Sequence, residues 1–145
     1  MRMNIKLLSS NAKMPTRGSE EAAGLDLYAA NDSIIVIQPH STVFIPTDIA
    51  IEIPRGMFGG IFARSGLASK RGLRPANCVG VIDSDYRGNI TVALHNDTDE
   101  AKAIEEGERI AQLIIMPYMM PELRVVKELS ETERGSDGFG SSGKL

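Results

Sequence analysis

The sequence predicts an all-β protein, a jelly-roll-like β-sandwich with one short helix. Short segments rich in Ile and Val recur between Pro, Gly, Asn and Asp, which is the pattern of strands separated by turns. These breakers leave no room for the helices of roughly 10 to 15 residues that parallel βαβ units need. The 145 residues have the usual length of one domain, and 42% of them are hydrophobic, which is enough for one core. We therefore expect one antiparallel sandwich.

Eight segments are predicted to be strands, because each is short, β-branched and bounded by turn residues. They are residues 34–37, 43–45, 49–53, 60–63, 79–82, 90–94, 110–116 and 123–126. Residues 100–106 have good helical propensity, but the segment is short and Gly107 stops it, so we interpret it as a strand end and a turn. The Met- and Pro-rich stretch 116–121 fits an edge strand or a subunit contact.

One helix of about two turns is predicted at residues 65–72. Ser65 can cap its first free amides, and Gly72 can supply a left-handed stop. Arg64, the Ser65 hydroxyl and the free N–H groups near Gly66 together offer donors to a phosphate oxygen. From these residues alone, a capped surface helix with an exposed arginine is the alternative interpretation.

The C-terminal residues 134–143 contain too few apolar side chains to fold on their own. We therefore divide the chain into a folded domain, residues 1–133, and a flexible glycine-rich segment, residues 134–145. A single aromatic residue, Phe139, stands among glycines and serines and resembles a stacking residue on a hinge. Composition by itself still favours plain disorder.

Composition excludes several classes of protein. The net charge of −3 argues against a protein that holds a nucleic acid polymer through its phosphates. A lone cysteine, Cys78, excludes an internal disulfide framework, and we expect it to be a small buried apolar residue. No apolar run approaches the ~20 residues of a membrane span, and residues 1–10 lack the features of a signal peptide. We expect a soluble cytoplasmic protein that binds no membrane.

Five segments stand out by their residue types: 23–29 (AGLDLYA), 63–68 (ARSGLA), 80–88 (GVIDSDYRG), 107–113 (GERIAQL) and the glycine-rich tail. In this order and at this spacing they resemble the five motifs of the trimeric dUTPase family. Any one of them alone would be weak evidence, but together they cover nearly the whole chain. The resemblance implies a jelly-roll subunit in a homotrimer, with three sites at the subunit interfaces.

The resemblance implies hydrolysis of dUTP to dUMP and pyrophosphate, the activity of a dUTP diphosphatase. Such an enzyme limits uracil incorporation into DNA and supplies dUMP for thymidylate synthesis. Asp83 would activate the water that attacks the α-phosphorus, and the Tyr86 ring would lie under the deoxyribose. Backbone groups of the hairpin, together with Asn77, would read uracil. The nucleoside-binding residues implied are Asn77, Gly80, Val81, Ile82 and Tyr86.

For the triphosphate, the resemblance implies Mg²⁺ that bridges the phosphates and reaches the protein mostly through water, with Asp26 holding such a water. Phe139 would stack on the uracil, while Arg134 and Ser141 would grip the γ-phosphate as the tail closes. Arg109 is expected to be a structural ion-pair partner. The implied phosphate and tail contacts are Arg64, Ser65, Gly66, Gln112, Arg134, Phe139, Gly140 and Ser141.

Two other functions remain open at this stage. One is a dCTP deaminase-like enzyme, although we find no added acid/base carboxylate for a pyrimidine. The other is a non-catalytic trimeric binding protein of the same fold. Outside the motif set, Asp83, Asn77 and Asp26 would be ordinary turn residues and Tyr86 a packing residue.

Overall fold

The computed structural model describes residues 2–136 and Gly138, and within them it has twelve short strands and one helix. The all-β prediction is therefore confirmed. The elements are β1 (Asn4–Leu7), β2 (Thr16–Arg17), β3 (Leu25–Tyr28), β4 (Ile35–Ile37), β5 (Thr42–Pro46), β6 (Ile49–Glu52), β7 (Met57–Phe62), α1 (Ser65–Arg71), β8 (Leu73–Pro75), β9 (Gly80–Ile82), β10 (Thr91–Asn96), β11 (Lys102–Ile104) and β12 (Arg109–Pro117).

The strands form an antiparallel sandwich around one core. The largest sheet has the order β2-β3-β12-β7-β9, and a second sheet has the order β5-β10-β8. Two further pairs, β1-β6 and β11-β4, complete the fold. The sheets pack face to face, because one apolar cluster joins Leu27 and Leu113 of the large sheet to Ile45 and Leu94 of the second.

The predicted strands are mostly confirmed. The segments 34–37, 43–45, 49–53, 60–63, 79–82, 90–94 and 110–116 all overlap observed strands. The strand predicted at 123–126 is wrong for the single chain, where this segment has no strand pairing and Leu123 is 91% exposed. β1, β2, β3 and β8 were not predicted, and β11 lies in the segment 100–106 that was interpreted as a strand end and a turn. β3 escapes a search for apolar runs because Asp26 stands in its middle.

Helix α1 is confirmed and begins at Ser65 as predicted, but the prediction that Ser65 caps it is wrong. Ser65 is the first helical residue, and the N-cap is Arg64, which makes no side-chain capping bond. The backbone carbonyl of Arg64 accepts the first helical hydrogen bonds, so the chain enters the helix one residue before the predicted cap. The predicted stop is correct: Gly72 has φ +64° and lies against Thr98, which leaves no space for a side chain.

Two expectations about exposed residues need correction. Cys78 is exposed, not buried, because it lies at φ +61° in the turn that leads into β9 and faces away from the core. The stretch 116–121 is not an edge strand beyond Pro117, where β12 ends and Met119 and Met120 become exposed. A membrane-spanning helix is absent from the part of the chain that the structure describes.

Asn96 is a fully buried polar side chain that connects three parts of the sandwich. Its Nδ2 donates to the carbonyls of Ile37 (3.1 Å) and Glu100 (2.7 Å). Its Oδ1 accepts from the backbone N–H of Thr98 at 3.0 Å and from the Thr98 hydroxyl at 2.8 Å. Asn96 thus connects the end of β10 to β4 and to the loop before β11, and it satisfies groups that water does not reach.

We predict that Asn96→Ala lowers the free energy of unfolding by roughly 2 to 4 kcal/mol, because it leaves several buried groups without partners. Denaturant unfolding at one fixed protein concentration measures the change. The matched control is Asn4→Ala, which removes only an exposed hydrogen bond to Glu52 and should cost less than about 1 kcal/mol. Equal losses in the two variants would contradict the role assigned to Asn96.

Candidate functional site

The hairpin residues predicted to bind a nucleoside lie together around two adjoining cavities. One cavity, of about 290 Å³, is lined in part by Val81, Ile82, Asp83 and Tyr86. The other, of about 160 Å³, shares Val81 and Ile82 and adds Asn77 and Gly80, among others. Within the described residues, β9 is the edge strand of the large sheet and pairs only with β7. Its outer backbone groups are therefore open to a ligand.

The turn that carries Asp83 is stabilised by its own hydrogen bonds. The backbone N–H of Tyr86 donates to the Asp83 carbonyl at 3.1 Å, and the Tyr86 hydroxyl donates to the Asn89 carbonyl at 3.0 Å. Arg87 Nη1 donates to the carbonyls of Ser84 and Tyr86 at 2.7 and 2.9 Å. Asp83 itself is exposed beside the larger cavity. The turn therefore presents a carboxylate at the mouth of an apolar hollow.

Phe44 is a wall of both cavities that the sequence analysis missed. It lies in β5, opposite Ala93 of β10, and it is 72% exposed. The sequence analysis assigned it only to a strand. The available signal was the alternation of β5, in which Ile45 faces the core and its neighbour Phe44 must face outward. A large aromatic residue at an outward strand position is a feature to examine for binding.

A second group of predicted residues surrounds Asp26, whose side chain is only 12% exposed. Asp26 Oδ1 accepts from Arg64 Nε at 2.8 Å, and Oδ2 accepts from Arg109 Nη1 at 3.2 Å. The prediction that Arg109 is an ion-pair partner is confirmed, with Asp26 as the partner. We call Asp26, Arg64 and Arg109 the Asp26 group. Two guanidinium groups and one carboxylate leave it with one net positive charge.

Gln112 adjoins the Asp26 group, because it lies directly opposite Asp26 in the pairing of β12 with β3. Its Nε2 donates to the Ala63 carbonyl at 2.9 Å, which holds the segment that leads to Arg64. Gly24 lies against the Gln112 side chain, where any Cβ would collide with it. Ser65 and Gly66 are exposed at the start of α1, with open space beside Gly66. The predicted phosphate contacts of the folded domain therefore lie near one another.

Asp83 and the Asp26 group lie at opposite ends of β7, while Gly80 of the hairpin lies opposite Ile61, nearer the Arg64 end. β9 pairs with β7 so that Ile82 is opposite Gly59, and the next step of this register puts Asp83 opposite Phe58. Arg64 is six residues beyond Phe58, which is about 20 Å of extended chain. Neither hairpin cavity is lined by a residue of the Asp26 group. One chain by itself therefore does not bring Asp83 close to Arg64.

The remaining predictions concern the tail and the metal. Arg134 is described and exposed, whereas Phe139, Gly140 and Ser141 lie outside the described residues. Within residues 2–136 and Gly138, the structure has no group of three or more His, Cys, Asp or Glu side chains that could hold a metal ion.

Known proteins resemble this chain over most of its length. The chain is 49% identical over 132 residues to the deoxyuridine 5'-triphosphate nucleotidohydrolase of Desulfitobacterium hafniense, covering 90% of this chain and 87% of the relative. It is 46% identical over 143 residues to the protein of that name from Hydrogenobaculum, covering 99% of each. The solved structure of the Staphylococcus bacteriophage 80alpha dUTPase with dUPNHPP superposes with a TM-score of 0.90 at 38% identity, covering 98% of both chains. The sequence model of the dUTPase family matches residues 10–143, and the chain therefore belongs to the dUTPase family.

Proposed function

We propose that this chain hydrolyses dUTP to dUMP and pyrophosphate, and that it does so as a homotrimer. The observation that carries the proposal is the separation along β7: the Asp83 carboxylate lies level with the start of the strand, a cationic group lies beyond its end, and an apolar hollow runs along β9. A nucleoside triphosphate has complementary ends. The reaction agrees with the names of the relatives and with the dUTP analogue in the phage enzyme. It would keep uracil out of DNA and supply dUMP for thymidylate synthesis.

The hollow at the hairpin suits a deoxyuridine. The unpaired backbone edge of β9, from Gly80 through Val81 to Ile82, offers N–H and C=O groups to the polar edge of uracil. The Asn77 side chain adds an amide donor and acceptor. Gly80 leaves room for this side chain, since a Cβ on residue 80 would meet Asn77 Nδ2 at 3.3 Å. The Tyr86 ring lines the neighbouring cavity, where a sugar would lie. We infer that a ribose 2′-hydroxyl or a thymine methyl would be excluded by lack of space.

Asp83 is the proposed general base. Its carboxylate takes a proton from a water, the water oxygen forms a bond to the α-phosphorus, and the bond from the α-phosphorus to the bridging oxygen breaks. The leaving group is pyrophosphate, and the other product is dUMP. The role requires the α-phosphate to lie beside Asp83 while the remaining phosphates extend away from the hairpin.

The Asp26 end of β7 supplies the proposed phosphate contacts, Arg64, Ser65, Gly66 and Gln112. Gln112 Nε2 uses one hydrogen on the Ala63 carbonyl and keeps a second hydrogen for a phosphate oxygen. Measured along β7, Arg64 is about 20 Å from Asp83. The Asp83 hairpin and the Arg64 end can therefore act on one nucleotide only if different chains contribute them. We infer from this geometry that the sites lie between subunits.

The Asp26 carboxylate fits an Mg²⁺ ion that is held mainly by the substrate phosphates. Both of its oxygens already accept an arginine, so a direct bond to a third cation is disfavoured. Each oxygen retains a lone pair that a metal-bound water can use, and Mg²⁺ usually keeps several waters. When bound, the ion would neutralise part of the phosphate charge.

The C-terminal part of the chain also supports a trimer. Leu123 and Val125 are 91% and 99% exposed, an apolar surface that the described residues of its own chain leave uncovered. A neighbouring subunit is the proposed partner of this segment. We further propose that residues 134–145 form a lid separate from the domain 1–133, with Arg134, Phe139, Gly140 and Ser141 contacting the nucleotide. The cytoplasmic location stays a prediction.

Incubation with dUTP, dCTP, dTTP and UTP, with and without Mg²⁺, tests the function. We expect pyrophosphate release from dUTP, stimulated by Mg²⁺, and little release from the other three nucleotides. Ammonia release from dCTP would instead identify a deaminase-like enzyme. Tight binding of dUTP without any product would identify a trimeric binding protein.

We predict that Asp83→Asn lowers kcat by roughly two or more orders of magnitude, the usual effect of removing a general base. Affinity for a non-hydrolysable dUTP analogue and the native mass should both be retained. The matched control is Asp85→Asn, which removes an equal charge from the same turn and should leave kcat nearly unchanged. Asp83 loses its role if its variant turns over at the rate of the control.

Mixed trimers test whether different chains build one site. Asp83→Asn and Arg64→Ala proteins, each nearly inactive, are mixed in equal amounts and allowed to exchange subunits. If Asp83 and Arg64 of a site come from two chains, both are intact in about a quarter of the sites, and about a quarter of the wild-type activity should return. Mass spectrometry verifies the exchange. Absence of recovery after exchange would mean that each chain builds its own site.

A further inference from the structure

The Asp26 group contains more positive charge than its ion pairs neutralise. Asp26 is the only acid that the structure pairs with Arg64 or Arg109 among residues 2–136 and Gly138. Its carboxylate is nearly buried, so it needs a cationic partner, and Arg64 at 2.8 Å already provides one. Arg109 makes a longer contact of 3.2 Å from a side chain that is 51% exposed. Because the contact is longer and the arginine is half-exposed, Arg109 adds less to stability than Arg64 does.

The hydrogen-bond geometry leaves the outer sides of both guanidinium groups unused by Asp26. Arg64 donates to Asp26 through Nε, so its two terminal nitrogens remain for another acceptor. Arg109 donates to Asp26 through Nη1 and retains Nη2 and Nε. A carboxylate that binds one arginine through each oxygen holds the two guanidinium groups near each other. This pair suits a ligand with several anionic oxygens, such as a diphosphate.

We propose that Arg109 binds the pyrophosphate moiety of the nucleotide, and that Asp26 is a positioning residue that holds Arg109 beside Arg64. The inference rests on the proposed function and extends it to a residue that the sequence analysis expected only to form an ion pair. Arg109 would contact the β- and γ-phosphates, because the α-phosphate must lie beside Asp83, at the hairpin. As the bond at the α-phosphorus breaks, the departing pyrophosphate gains charge, which a second guanidinium stabilises.

Binding of inorganic pyrophosphate and of dUMP to the full-length protein, measured by calorimetry, tests the proposal without turnover. Arg109→Gln should raise the Kd for pyrophosphate about tenfold or more, the usual loss for a charge-assisted hydrogen bond. The Kd for dUMP should not change, because dUMP lacks the β- and γ-phosphates. Arg109→Lys keeps the charge but not the planar group. Its Kd for pyrophosphate should lie between those of the unchanged protein and of Arg109→Gln.

The matched control is Arg74→Gln, which makes the same charge change at a half-exposed arginine paired with Asp97. Its pyrophosphate affinity should equal that of the unchanged protein. Asp26→Asn should weaken pyrophosphate binding, because Arg109 is then no longer held beside Arg64. For the same reason, Arg109→Gln should change the Kd for pyrophosphate less in the Asp26→Asn background than in the unchanged protein.

The proposal is overturned if Arg109→Gln leaves pyrophosphate affinity unchanged, or if it weakens pyrophosphate and dUMP equally together with the unfolding temperature, as a purely structural role predicts. Failure of the proposed function has a different signature: the unchanged protein would release no pyrophosphate from dUTP. The binding measurements do not depend on that result, so the two failures are distinguishable.

Discussion

The pairing of β7 with a strand on each side is the constraint on which the candidate site depends. β7 lies between β12 and β9, and its register with β9 sets the position of the hairpin that carries Asp83. The packing is close at Gly59, where a Cβ would meet Leu113 Cδ1 at 2.9 Å and Ile53 Cδ1 at 3.0 Å, and glycine avoids both contacts. The other end of β7 leads directly to Arg64 and α1, so one strand determines where both halves of the site lie.

Electrostatics governs the Asp26 end. A carboxylate in the middle of a strand of the large sheet is costly to bury, and the close ion pair with Arg64 offsets that cost. The ion pairs of Asp26 restrict the arginine side chains before any ligand arrives, which reduces the entropy that an anion must overcome on binding. The ion pairs that allow a carboxylate in this strand would therefore also prepare the proposed phosphate site.

The hairpin end has the opposite character. Phe44, Val81 and Tyr86 are apolar or aromatic side chains that remain exposed around small cavities, while Asp83 stands at their edge. In one chain they surround an incomplete hollow, and an exposed apolar surface of this kind typically becomes covered by a ligand or a partner. The cationic end lacks an apolar hollow, and the apolar end lacks positive charge. The proposed assembly of identical chains would combine them.

The sequence by itself determined the fold class, most strands, the stop of α1 at Gly72 and the membership of nearly every candidate site residue. These features are local: breakers, alternation, a glycine at φ +64° and short motifs are all written in consecutive residues. Other features depend on contacts between residues distant in the chain. Only the tertiary structure decided that Arg64 rather than Ser65 is the N-cap of α1, that Cys78 is exposed, and that Asp26 pairs with two arginines. Likewise, only the tertiary structure placed Phe44 at the cavities and Asp83 away from the Asp26 group. Strand register, not proximity in the sequence, sets the distances between these residues.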